Sequence, residues 1–283
     1  MSIYNFAAFI LSHGRAERVY TYNSLIKHGY SGRIFIVIDD EDKERDKYVE
    51  KYGDRVILFN KNEVAKRIDL ADNFDGNKAI IYARNACFDI AKELGINYFI
   101  QLDDDYTRFA YKFTDGLEYK EHDILNLNAI FDSMLRYYNN IPATSIAMAQ
   151  NGDYIGGGNG NWARTIKPRR KAMNTFICST ARHFTFNGKI NEDVNTYTSQ
   201  GAIGKLFLTI PQLAINQKQT QSNKGGMTST YLDGGTYVKS FYSVIFSPSC
   251  VKIKEMGHTH KRLHHNIRWN NAVPVIVDEK YKK

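Results

Sequence analysis

Three carboxylates in a row, Asp103-Asp104-Asp105, follow the apolar run Phe99-Ile100-Gln101-Leu102. Unpaired carboxylates are too costly to bury beside such a run, so they must face water or a cation. Hard divalent ions prefer oxygen ligands. Mg²⁺ commonly shares its shell between one or two carboxylates and substrate phosphates. A solvated turn is the other reading of the bare run. A second acidic group, Asn191-Glu192-Asp193-Val194, lies about ninety residues downstream. A carboxylate there could take a proton from a hydroxyl, as a general base does. The same residues also suit the opening of a short helix around Val194 to Tyr197. A third group is Gly257-His258-Thr259-His260. A His-x-His pair can bind zinc, but no cysteine or carboxylate stands at a zinc spacing from it. Surface histidine is its other reading.

These groups need elements to hold them. Tyr4 to Leu11 reads as a buried strand, followed by the loop Ser12-His13-Gly14-Arg15 and helical spacing over Ala16 to Lys27. Arg33 to Ile38 is a second strand closing on Asp39 and Asp40. A charged helix over Glu41 to Tyr52 and a strand over Arg55 to Phe59 follow. A long helix over Asn77 to Leu94 precedes the strand Tyr98 to Leu102. Strands alternating with helices predict an α/β fold with a mostly parallel sheet. Ligands of such sheets sit beyond the carboxyl ends of the strands, where SHGR, DDED and DDD all lie. The second half reads as a helix over His122 to Tyr138, a strand over Ser145 to Gln150, short strands within Ala181 to Val194, and a strand over Ser243 to Ile253. Gln217 to Gly226 reads as a polar loop.

Bulk properties narrow the class. The chain has 283 residues, 43% hydrophobic and 24% charged, which is ordinary for a folded domain. The net charge of +8 favours polyanionic or phosphorylated partners. Cys87, Cys178 and Cys250 are far apart and odd in number, which suits a reducing compartment. Met1 to Phe9 lacks the basic region and cleavage site of a secretory signal. No apolar run reaches the ~18 residues a membrane span needs. A cytoplasmic setting without a membrane span is therefore expected.

With LDDD after a buried strand and NED downstream, the chain resembles the GT-A class of glycosyltransferases. The resemblance implies a Rossmann-like, mostly parallel central sheet flanked by helices, with a smaller mixed C-terminal acceptor part. It implies one domain over 1–283, with a nucleotide-sugar half at 1–110 and an acceptor and catalytic half at 111–283. In that class a DxD strand end holds Mn²⁺ or Mg²⁺ against a UDP-sugar. Asp105 would bind the metal directly, and Asp103 and Asp104 would contact ribose or the metal through water. Ser12, His13, Gly14 and Arg15 would hold the nucleoside, and Asp39 would accept from a uracil N–H. Arg84, in Ala83-Arg84-Asn85, resembles an ARN-type signature and would face the donor; a helix-surface salt bridge is its other reading. NED resembles the xED motif of inverting enzymes, which makes Asp193 the base and Glu192 its alternate. A C-terminal histidine after a strand completes the metal shell in many members, which points to His258, then His260.

The acceptor leaves a different trace. Gly156 to Lys171 combines flexible glycines, Trp162, and the cations Arg164, Lys167, Arg169, Arg170 and Lys171. Phosphate neutralisation beside an aromatic platform suits nucleic acid, and a mobile loop suits extrusion of a base. A solvated basic loop is the bland reading. Through SHGR, LDDD, NED and GHTH, from Ile3 to about Arg268, the chain is similar to the TET-associated glycosyltransferases. These form a phage-rich family thought to glycosylate hydroxymethylated pyrimidines in DNA, so the resemblance implies a 5-hydroxymethylpyrimidine acceptor. Other readings are transfer to a cell-surface glycan or lipid-linked saccharide, a DNA-binding module on a decayed transferase fold, and a nucleotidyltransferase. For the last, SHGR is too short a phosphate-binding signature.

Overall fold

The computed structural model describes residues 4–70, 80–160, 163–169, 174–218, 238–256 and 261–274. Its first strand, β1 (Phe6–Leu11), is buried along its whole length. Alternate side chains leave a strand on opposite faces. Phe6, Ala8 and Ile10 enter one core, and Ala7, Phe9 and Leu11 the other. Each large apolar side chain removed from water there contributes ~1.5–3 kcal/mol. A strand buried on both faces reads as continuous apolar sequence, which is why FAAFIL shows no alternation.

Beside β1 lie β2 (Arg33–Asp39), β3 (Val56–Phe59) and β4 (Tyr98–Asp103). They pair in parallel in the order β3-β2-β1-β4. One face is covered by α1 (Tyr20–Lys27), α2 (Arg45–Tyr52) and α5 (Leu127–Asn139). The other is covered by α4 (Ile80–Glu93) and α6 (Glu192–Ala202). The short α3 (Lys61–Ala65) packs beside α4. The sheet continues through β8 (Phe176–Ser179), β7 (Ala143–Gln150), β9 (Leu206–Gln217), β5 (Tyr106–Phe113) and β6 (Tyr119–Asp123). β7 and β9 pair in parallel, while β8, β5 and β6 form antiparallel pairs. All nine strands form one sheet, mostly parallel, and the mixed part lies on the β8 to β6 side. A separate hairpin joins β10 (Val251–Met256) to β11 (Arg262–Ile267). Residues 238–246 form α7, and Trp269–Ala272 form α8.

Three expected elements differ. The helix expected over His122 to Tyr138 splits: Tyr119–Asp123 is the edge strand β6, and α5 opens after Asn126, whose side chain accepts from Ala129 N at 3.1 Å. β6 is exposed on nearly every residue, so its polar sequence carries no strand alternation. Residues 181–190 hold no strand, and the chain there runs as coil into α6. The strand expected over Ser243 to Ile253 is helix to residue 246, then turn, then β10. Buried Tyr242 fixes that helix, since its hydroxyl accepts from Lys189 N at 3.0 Å and donates to Leu70 O. Tertiary contact here overrides the strand propensity of Val244 and Ile245. Cys87, Cys178 and Cys250 are all free and buried. Among the described residues no helix is long and apolar enough to cross a membrane.

Candidate active site

The three aspartates do not share one environment. Asp104 is buried, and both its oxygens are engaged: Ser12 Oγ donates at 2.6 Å and Arg15 Nη1 at 2.9 Å. Tyr48 Oη holds the same loop, 2.6 Å from Ser12 Oγ and accepting from Arg15 N at 2.9 Å. Asp104 thus ties the SHGR loop to the end of β4. Asp103 is also fully engaged, by Arg84 Nη2 at 3.0 Å and Asn174 Nδ2 at 2.6 Å. Burial pushes both carboxyls above their usual range, against the pull of Arg15 and Arg84 respectively. Asp105 differs. Among the described residues no side chain donates to its carboxylate, and its backbone carbonyl accepts from Lys218 N at 3.2 Å. Burial, and then the charges of Asp103 and Asp104, push its carboxyl up to about 7.

Arg84 belongs to the same cluster. The expected donor-facing cation, or surface salt bridge, is instead 0% exposed. Its Nε donates to Glu192 Oε1 at 3.0 Å, and its guanidinium carbon lies 5.3 Å from the Phe176 ring centroid and 5.6 Å from that of Phe186. Burial opposes its charge, but Asp103 and Glu192 outweigh that and hold it protonated. Its acceptors Asp103, Glu192 and the Asn174 carbonyl all lie within the protein.

The NED segment opens a helix, as one reading of its sequence expects. Glu192 and Asp193 form the first turn of α6. Asn191 precedes them at φ 55°, a left-handed conformation that asparagine tolerates better than most residues. Its Nδ2 donates to Lys239 O at 2.8 Å, fixing the turn against α7. Glu192 is buried toward Arg84. Burial, then the neighbouring charges of Asp193 and Asp103, hold its carboxyl above the usual range. Asp193 is half-buried and takes no hydrogen bond or ion pair among the described residues. Gly188 shapes the approach, at φ +80°. A Cβ there would lie 2.5 Å from both Asn195 Nδ2 and Phe246 Cε2. Gly188→Ala is therefore expected to destabilise the fold by about 3 kcal/mol, from left-handed strain plus overpacking. A denaturant titration of the variant checks it; an unchanged midpoint would rule out the clash.

Asp39 ends β2, as expected, but its carboxylate is crowded. Oδ2 lies 2.6 Å from His13 Nδ1, and Oδ1 accepts from Lys61 Nζ and Glu41 N, each at 3.3 Å. A uracil N–H would have to share those oxygens. Burial alone would raise the Asp39 carboxyl; His13 and Lys61 outweigh it and hold it low. The Asp39 hydrogen bond raises His13 above 6.5. His13, Asp39 and Asp42 offer ligand atoms within 4.8 Å of one another, a set that could also hold a cation. A raised histidine stabilises the fold fully below its unfolded value of 6.5 and loses that stabilisation as pH rises through the folded value. In Asp39→Asn the His13 ring resonances should titrate at lower pH than in the parent. Coincident titrations would exclude the pair as the cause.

The described part of the basic loop carries local structure. Short 3₁₀ turns span Asn151–Tyr154 and Gly157–Asn159, and Tyr154 Oη donates to Pro211 O. Arg164 and Arg169 are exposed and Lys167 half-buried. Arg164 Nε donates to Gly158 O at 2.5 Å, with its guanidinium carbon 5.9 Å from the Phe113 ring centroid. Trp162, Arg170, Lys171, His258 and His260 lie outside the described residues, as does the greater part of the Gln217–Gly226 loop. Asn174, Tyr48, Lys61 and Gln101, whose Nε2 donates to Arg84 O at 2.9 Å, join the cluster without any motif. Asp42 stands inside the visible DDED run.

A parallel β3-β2-β1-β4 half with carboxylates along its carboxyl edge, continued by a mixed half, defines the GT-A class of glycosyltransferase architecture. Residues 6–226 match the model of the TET-associated glycosyltransferases, and the chain belongs to that family. No curated protein matches it. Among solved structures it is similar to glucosyl-3-phosphoglycerate synthase from Mycobacterium tuberculosis, in complex with Mg²⁺ and uridine diphosphate. That match has 8% identity and TM-score 0.43, over 93% of this chain and 87% of that one. It is also similar to S. aureus TarS 1–349, with 11% identity and TM-score 0.42, over 75% of this chain and 60% of that one. A cytidylyltransferase from Leptospira borgpetersenii matches with 11% identity and TM-score 0.32, over 63% of this chain and 61% of that one. The chain thus spans about three fifths of the TarS and cytidylyltransferase chains.

Proposed function

We propose that this chain is a metal-dependent inverting glycosyltransferase that moves a sugar from a UDP-sugar to a hydroxymethylpyrimidine in DNA. One observation carries the reading. Asp105 and Asp193 are the acidic groups of DDD and NED left without a side-chain donor among the described residues, and the Asp193 charge is felt at Asp103. Two unspent carboxylates around one buried cluster suit a metal ligand and a base.

Asp105 fits a divalent cation, because its carboxylate is crowded by Asp103 and Asp104 and the Arg15 guanidinium that acts on it is bonded to Asp104. Asp105, with Asp103 beside it and His258 or His260, would hold Mn²⁺ or Mg²⁺. When bound, such an ion neutralises charge on the leaving diphosphate. Ser12, His13, Gly14, Arg15 and Asp39 hold the nucleoside, with Asp104 bracing their loop. Asp193 takes the proton of the acceptor hydroxyl as that oxygen bonds to the anomeric carbon. The carbon–oxygen bond to the diphosphate breaks, and its electron pair leaves with UDP. Trp162, Arg164, Lys167, Arg169, Arg170 and Lys171 form the acceptor side, with the net charge of +8 favouring a polyanion. Residues 1–110 serve the donor and 111–283 the acceptor, in a cytoplasmic setting.

The test incubates the protein with Mn²⁺ or Mg²⁺, a panel of UDP-sugars, and DNA with or without 5-hydroxymethylpyrimidines. Released UDP and the mass of the base are measured. UDP release that requires the modified base supports the reading. Release only with saccharide or lipid-linked acceptors would move the activity to glycans.

A further inference from the structure

Arg84 lies on α4, outside both segments that carry the free carboxylates, yet it holds the neighbour of each. Nη2 donates to Asp103 and Nε to Glu192, each at 3.0 Å. Asp103 stands two residues before Asp105, and Glu192 immediately precedes Asp193. The guanidinium is itself fixed: Nη1 donates to Asn174 O at 3.3 Å, and the Phe176 and Phe186 rings flank it. The next residue of α4 grips the same region. Asn85 Oδ1 accepts from Phe186 N at 2.9 Å, and its Nδ2 donates to Phe186 O at 3.1 Å. One helix therefore holds the end of β4 and the approach to α6.

A guanidinium is a planar fork whose donors keep a fixed spacing, whereas an ammonium is a single point charge. Two carboxylates on one fork cannot move apart without losing a buried, charge-assisted hydrogen bond. We infer that Arg84 is a positioning residue, which sets the separation of Asp105 and Asp193 by holding Asp103 and Glu192 on one rigid fork. The catalytic consequence rests on the glycosyl-transfer reading; the brace does not. A base displaced by ~1 Å can lose on the order of a hundredfold in rate.

The test compares Arg84→Lys, which keeps the charge and loses the fork, with the parent chain. Amide hydrogen exchange should rise together at residues 103–106 and 192–196 and stay unchanged in β1 and β2. With the UDP-sugar donor, kcat should fall about a hundredfold while KM for the donor stays within about fivefold. A purely structural arginine would lower Tm yet leave kcat per folded molecule unchanged. Exchange that rises at one segment alone or at neither, or a folded Arg84→Lys with kcat within threefold of the parent, overturns the inference. If Arg84→Lys does not fold, Arg84→Gln with Asp103→Asn and Glu192→Gln removes the charges of all three partners together, and the same exchange pattern is expected. If the parent releases no UDP from any donor, the transfer reading fails by itself, and the exchange result still decides the brace.

Discussion

Asp193→Asn should abolish glycosyl transfer and leave UDP binding intact. Asparagine keeps the shape of the side chain and cannot accept a proton. Positioned general bases contribute about 10²–10⁴-fold, so single-turnover transfer at saturating donor should fall by about a thousandfold. UDP affinity, read by calorimetry with metal present, should stay within about threefold. Glu192 is the obvious substitute and is badly placed to serve. It is buried, and its Oε1 is spent on Arg84 Nε. A rate within tenfold of the parent would remove Asp193 as the base and return the role to Glu192 or to a residue outside NED. The variant also separates chemistry from folding. Asp193 has no donor to lose among the described residues, so Tm should hold.

The same environments show what a sequence can and cannot reveal. β1, β2 and β4 were legible because strands buried on both faces are continuous apolar runs, and their acidic ends mark the carboxyl edge. NED was legible as the acidic opening of a helix, and Glu192 and Asp193 do form the first turn of α6. The triple aspartate was legible as a candidate site but not as three different groups. Which carboxylate stays free depends on Ser12, Arg15, Arg84 and Asn174, which stand 92, 89, 19 and 71 residues from their partners. No local pattern encodes such contacts. Arg84 reads in the sequence as a donor-facing cation or a surface salt bridge because the spacing of α4 says nothing of the Phe176 and Phe186 rings beside which it is buried. Asn174 carries no motif, and its role exists only through Asp103 and Arg84. β6 and α7 were missed for opposite reasons: one strand is too polar to show a period, and one helix is too rich in strand-forming residues.

Asp105→Asn should act on function and stability in opposite directions. Without its carboxylate the site should lose metal-dependent UDP binding by at least about a hundredfold, or ~2.7 kcal/mol. Titrating UDP with and without Mn²⁺ reads this directly; an undiminished metal effect would move the ligand elsewhere. The metal-free variant should nevertheless be more stable than the parent near pH 8. In the fold the Asp105 carboxyl rises from 3.8 to about 7, so its proton favours the folded state. That contribution is fully present below 3.8 and is lost as pH rises through about 7. Above that window the parent carries a crowded anion beside Asp103 and Asp104, which costs on the order of a few kcal/mol. Asparagine carries no such charge, so its Tm advantage should be near zero at pH 4 and largest at pH 8. Asp103→Asn, removing a partner of buried Arg84, should destabilise at pH 8 instead. If both variants destabilise equally, the three aspartates are interchangeable, and the division into one free carboxylate and two braced ones is wrong. If they diverge, the strand end stores repulsion at one position, and a cation arriving with the donor would relieve it.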